Sequence, residues 1–171
     1  AISLNKPVAI RYPRGEAIGV ELYQKDIEPL EFQKGETLLK GSDLTILAVG
    51  PYVYDALTAA QELKQHGINC MVINPRFLKP LDEKLIISSL KETGRVITIE
   101  ENIICGGFGS SIIELASKNN IKDLKSKMIG IEDVFITHGS SDLLRKEIGL
   151  TSDNIIRTAL SMFSDLKRTS G

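Results

Sequence analysis

Residues 44–74 read LTILAVGPYVYDALTAAQELKQHGINCMVIN and contain one full unit of the pattern that decides the fold. Leu44–Val49 is an unbroken apolar run, as expected of a strand buried on both faces. Gly50-Pro51 ends it. From Tyr54 to Gln65 apolar residues recur at Leu57, Ala60 and Leu63 with polar residues between them, which predicts an amphipathic helix closed by Gly67. Asn69–Asn74 then predicts a second strand. Strand, helix, strand at this spacing is a parallel crossover unit.

The same unit recurs downstream. Leu81-Asp82 opens a helix through Leu90 with Gly94 beyond its end, Arg95–Ile99 is a strand, and a helix runs from Phe108 to Lys118. Lys127–Ile131 is the last strand. Ser141 or Asp142 can cap a helix that reaches Ile148 and stops at Gly149, and Thr151 caps another through Ser164. Upstream, Glu36–Lys40 is a short strand three residues from Leu44, which predicts a hairpin and an antiparallel first strand. The fold class is α/β: a three-layer α/β/α sandwich on a five-stranded, mostly parallel sheet.

The chain has 171 residues with 21 basic and 22 acidic side chains, so no overall field recruits nucleic acid or anionic lipid. No apolar run approaches the ~20 residues of a membrane helix. Cys70 and Cys105 lack a second Cys or His at metal-ligand spacing, which predicts two reduced thiols and no metal site.

The first residues behave differently. Pro7-Val8-Ala9-Ile10-Arg11 reads as a short strand stopped by Tyr12-Pro13-Arg14-Gly15, and no earlier strand is there to pair with it. Residues 1–33 are therefore expected to be the end of a preceding domain plus a linker over 16–33, residues 34–164 the main domain, and 165–171 a tail. Arg11 and Arg14 offer planar forked donors suited to a phosphate, against the alternative of a surface ion pair.

Four other places carry candidate residues. Gly106-Gly107-Phe108-Gly109-Ser110-Ser111 lies between a strand and a helix, where amides can cradle an anion, or where Gly107 and Gly109 simply let helix and strand approach closely. It matches neither the dinucleotide fingerprint nor the P-loop. Glu100 and Glu101 stand at a strand's carboxyl end; adjacent residues point to opposite sides, so each caps a backbone or pairs across a domain boundary rather than forming an acid/base couple. Arg76 and Asp82 lie in the stiff connector Asn74-Pro75-Arg76-Phe77-Leu78-Lys79-Pro80-Leu81-Asp82, with Asp82 placed as a helix cap and Arg76 as a salt-bridge donor at an interface. His138 sits on the carboxyl rim as an acid/base group or a polar interface contact.

These motifs in this order resemble the C-terminal portion of the 1-deoxy-D-xylulose-5-phosphate synthase family, within the transketolase superfamily. The resemblance rests on Ala9-Ile10-Arg11-Tyr12-Pro13-Arg14-Gly15 with Gly19-Val20, on Arg76-Phe77-Leu78-Lys79-Pro80-Leu81-Asp82, and on Glu100-Glu101-Asn102 with Gly106-Gly107-Phe108-Gly109-Ser110. Asp133-Val134-Phe135, His138-Gly139 and Gly149-Leu150-Thr151 complete it. It implies a transferase parent that condenses pyruvate with glyceraldehyde 3-phosphate and releases CO₂, feeding isoprene, thiamine and pyridoxal precursors. Thiamine diphosphate and Mg²⁺ would be held by the parent's N-terminal and pyrimidine-binding domains, with none on this fragment. Arg14 matches the family's ligand for the substrate phosphate, and no catalytic residue falls in the fragment. The remaining candidates would serve interdomain packing, within a homodimeric parent that is cytoplasmic in bacteria or located in plastids. Alone, the fragment is expected to be inactive. The other reading is a stand-alone anion- or phosphate-binding module that uses the Gly106–Ser111 turn.

Overall fold

The computed structural model describes residues 4–10, 12 and 29–168, apart from the side chains of residues 142 and 165–168. The chain divides into two units, Ala1–Leu30 and Glu31–Gly171. In the first, Pro7–Ile10 form no strand, contrary to the sequence expectation. A ladder needs a neighbour, and β-propensity alone does not make one. Arg11 and Arg14 lie outside the described residues, as does most of the expected linker.

The second unit is built as β1 (Glu36–Leu39), β2 (Leu44–Ala48), α1 (Tyr52–Gln65), β3 (Cys70–Asn74), α2 (Glu83–Thr93), β4 (Arg95–Ile103), α3 (Phe108–Lys118), β5 (Lys125–Ile131), α4 (Ser141–Glu147) and α5 (Ser152–Arg168). The sheet order is β1-β3-β2-β4-β5. β2 is parallel to both β3 and β4, and β5 is parallel to β4. The α/β class, the five strands and the antiparallel first strand all match the sequence reading.

The hairpin does not. β1 pairs with β3, placing Glu36 opposite Asn74 and Thr37 opposite Ile73. Both edges of β2 are taken by β3 and β4, so β1 pairs at the outer edge of β3, the nearer open edge of the sheet. The connector therefore crosses the start of β3 instead of folding back. Gly41 makes the crossing possible, since a Cβ there would stand 2.3 Å from the Cys70 carbonyl carbon. Asp43 fixes it by accepting the Asn69 amide at 2.7 Å while its own amide donates to the Asn69 carbonyl at 3.0 Å.

All five residues of β2 are buried, which is why its sequence is continuously apolar. Strand alternation divides the core between two faces. Leu44, Ile46 and Ala48 of β2 and Ile97 and Ile99 of β4 pack with Ala56, Ala59 and Leu63 of α1 and Ile155 and Ala159 of α5. On the other face Leu47, Ile73 and Val96 meet Ile86 and Leu90 of α2 and Phe108 and Ile112 of α3. Right-handed crossovers require this split, because β2 steps one way to β3 while β3 steps back across to β4. A buried polar residue in the second layer is satisfied: Thr45 Oγ1 shares a hydrogen bond with Thr93 Oγ1 at 2.9 Å.

Candidate functional site at the carboxyl rim

β2 and β4 lie side by side, and their following connections leave in opposite directions. In an open α/β sheet this is where the carboxyl rim opens a crevice. Glu100 and Glu101 stand at the β4 side of it. Strand parity assigns their sides: Val96 faces α2 and α3, so Glu100 does too, while Ile97 and Ile99 share the α1/α5 face with Glu101.

On the α3 side, Glu100 is 2% exposed. Its Oε2 accepts the Phe108 amide and its Oε1 the Gly109 amide, both at 2.8 Å. These are orphan donors of the first turn of α3, and they point where positive partial charge collects. Gly107 and Gly109 permit the approach. A Cβ on Gly107 would lie 2.4 Å from the Ile103 carbonyl oxygen and 2.6 Å from Glu100 Oε2. One on Gly109 would lie 2.6 Å from Thr98 Oγ1. Ser110 completes the turn, its hydroxyl donating to the Ile104 carbonyl at 2.8 Å and accepting the Gly106 amide at 3.1 Å. The amides that could have cradled a phosphate are engaged by the chain's own carboxylate.

The α1 side is built differently. Tyr52, 1% exposed, donates its hydroxyl to Glu101 Oε2 at 3.0 Å. Arg145 of α4 reaches the same oxygen at 4.0 Å, and its guanidinium carbon lies 5.7 Å from the centroid of the Tyr52 ring. Burial holds the Tyr52 phenol well above its ordinary ionisation range, and the neighbouring Glu101 carboxylate adds to that while Arg145 opposes it. Burial likewise raises the Asp55 carboxyl, against the Ser152 backbone and Arg145. Sequence reading missed Tyr52 and Arg145. They come from separate helices, and no local spacing announces them; a Tyr just inside the helix after Gly50-Pro51 was the one available signal.

The remaining candidates lie elsewhere. Asp82 caps α2 through the Leu85 amide at 3.2 Å and also takes the Gly35 amide at 3.2 Å, tying the start of the unit to α2. Arg76, exposed and with φ of 54°, pairs with Glu36 of β1, so its ion pair lies within this unit. Phe77 beside it stacks edge-on with Phe32 at 5.7 Å. His138 lies in the exposed segment 132–140.

Among the described residues no group of three or more His, Cys, Asp or Glu could hold a metal ion. No helix is long and apolar enough to cross a membrane. Cys70 is buried, and burial pushes its thiol up to about 12, while Cys105 is exposed.

Comparison with known proteins fits this architecture. Residues 33–155 match the family described as the transketolase C-terminal domain. The 1-deoxy-D-xylulose-5-phosphate synthase of Desulforudis audaxviator is 46% identical over 161 residues, which is 94% of this chain and 25% of that protein. The synthase of Halothermothrix orenii is 44% identical over 165 residues, 96% of this chain and 26% of that one. The chain thus spans about a quarter of the length of these relatives. A solved split-gene transketolase, described as an inactive β4 tetramer, superposes with a TM-score of 0.73 at 32% identity, covering 83% of this chain and 46% of that one. With the family match covering the whole sheet and helices α1 to α4, the chain belongs to the transketolase C-terminal domain family.

Proposed function

We propose that this chain is the C-terminal part of a 1-deoxy-D-xylulose-5-phosphate synthase, a thiamine-diphosphate- and Mg²⁺-dependent transferase that joins pyruvate to glyceraldehyde 3-phosphate with loss of CO₂. The observation that carries the proposal is identity of 44–46% to such synthases across 94–96% of the chain. In this reading the cofactor supplies an electron sink for decarboxylation and is bound by the rest of the enzyme. Residues 34–164 support interdomain packing and the homodimer, and Arg14 contributes a forked donor to the substrate phosphate. The compartment is the bacterial cytoplasm. No observation favours the stand-alone phosphate-binding alternative, since the Phe108 and Gly109 amides already hold Glu100.

A chimera tests the proposal. The chain replaces the corresponding quarter of the Desulforudis audaxviator synthase, and turnover is measured with pyruvate, glyceraldehyde 3-phosphate, Mg²⁺ and thiamine diphosphate. The chimera should turn over and the isolated chain should not. Arg14→Ala in the chimera should lower kcat/KM for glyceraldehyde 3-phosphate roughly 30-fold or more, the loss expected when one partner of a desolvated charge pair is removed. The pyruvate half reaction should be nearly untouched. A folded, cofactor-loaded chimera without turnover would count against the reading, and equal damage to both half reactions would reduce Arg14 to a structural role.

A further inference from the structure

We infer that Arg145 is a positioning residue: it fastens α4, and through it the exposed segment 132–140, to the carboxyl rim of the sheet at Tyr52 and Glu101. The inference rests on geometry and is independent of the synthase reading.

β5 ends at Ile131, and every residue from 132 to 140 is exposed. Val134 and Phe135 face solvent and do not anchor it, and Leu143 of α4 faces solvent as well, while Ile136 is 37% exposed. Its backbone forms a tight turn from the Val134 amide to the Glu132 carbonyl at 2.7 Å but continues no ladder. The segment is thus held at its two ends, by β5 and by α4.

α4 has seven residues, too few to be stable on its own, and Ser140 provides no side-chain cap. Tertiary contacts must seat it. Ile148 at its C-terminal end packs against the α1/α5 core, and Arg145 makes the contact with the rim: its guanidinium lies over the Tyr52 ring, and it pairs with the Glu101 oxygen that the Tyr52 hydroxyl also reaches. Its carbonyl accepts the amide of buried Leu150 at 2.8 Å, so the same residue also closes the turn into α5. Tyr52 is itself locked in the core, and Glu101 sits on a strand. At the rim, α4 is therefore tied to α1 and β4 by one planar cation, a geometry that Lys reproduces only as a point charge.

Hydrogen exchange on the 171-residue chain tests this. Arg145→Met should speed exchange across 141–148 about tenfold while residues 44–48 and 95–99 keep their rates, the signature of local opening. Arg145→Lys should fall between the two, and the Tyr52 ring resonances should shift in both variants. If Arg145→Met does not fold, Glu101→Gln and Tyr52→Phe serve instead, each expected to speed 141–148 severalfold with the sheet unchanged. Rates across 141–148 that stay at the wild-type value would overturn the inference. So would an equal rise in the sheet, and so would full rescue by Lys with no change at Tyr52.

Discussion

Glu100 and Glu101 are neighbours on one strand, yet the two sides of the sheet use them in contrasting ways. Glu100 is buried and held by two backbone amides of α3 at 2.8 Å, a cap whose donors cannot move without unwinding a helix. Glu101 takes two side-chain partners among the described residues, the Tyr52 hydroxyl and the more distant Arg145 guanidinium, which can adjust by rotamer. Backbone partners hold the α3 side, and side-chain partners hold the α4 side. The difference follows from strand parity together with what each face offers: Gly107 and Gly109 let a helix start close to the carboxylate on one face, while α1 on the other presents a ring and a hydroxyl.

The largest expected effect lies on the fixed side. Gly107→Ala puts a methyl against the Ile103 carbonyl and the Glu100 carboxylate, and neither can retreat. Unfolding by denaturant should show a loss of about 3 kcal/mol or more. A loss near zero would mean that α3 can shift, and the contrast between the sides would break.

Next comes Glu100→Ala, which leaves two buried amides without an acceptor. It should cost roughly 2–4 kcal/mol. Glu100→Gln, retaining one acceptor oxygen, should recover part of that. Equal stability of both variants and the wild type would show that water caps α3 as well as the carboxylate does.

Tyr52→Phe tests the adjustable side and should be milder, about 1.5 kcal/mol at neutral pH for one hydrogen bond to a charged group. Its sign with pH sharpens the contrast. The phenol is raised above its ordinary 10.0 in the folded state, so the folded protein keeps a proton that the unfolded chain releases. Stability is whole below pH 10 and falls as pH rises beyond it, and Tyr52→Phe should flatten that fall. Denaturant midpoints measured across alkaline pH decide the matter; an identical slope in the variant would remove the special environment of Tyr52.

Much of this was legible in the sequence because it is local. The apolar run Leu44–Val49, the helix period after it and the glycines at 67 and 94 report directly on strand, helix and cap, and α3 falls at Phe108–Lys118 as read. Helix starts were read less well: α1 begins at Tyr52 rather than Tyr54, because Pro51 pre-sets the first turn. The partner of β1 was not legible at all, since a three-residue connector looks like a hairpin unless both edges of β2 are known to be occupied. For the rim, alternation put Glu100 and Glu101 on opposite faces. That Glu100 fills the glycine turn, and that Arg145 arrives at Glu101 from α4, depends on how distant helices pack. Local spacing does not encode that.

The central claim is that the glycine turn of α3 holds the chain's own carboxylate and therefore no ligand. Calorimetric titration of inorganic phosphate, ATP and NAD into the wild-type chain tests it most directly. No saturable heat is expected at concentrations below about 1 mM, where even a weak site would yield on the order of 4 kcal/mol of binding free energy. Micromolar binding by the wild-type chain that disappears when Gly109 is replaced by Val, in a variant still folded by circular dichroism, would contradict it and make the turn a binding site.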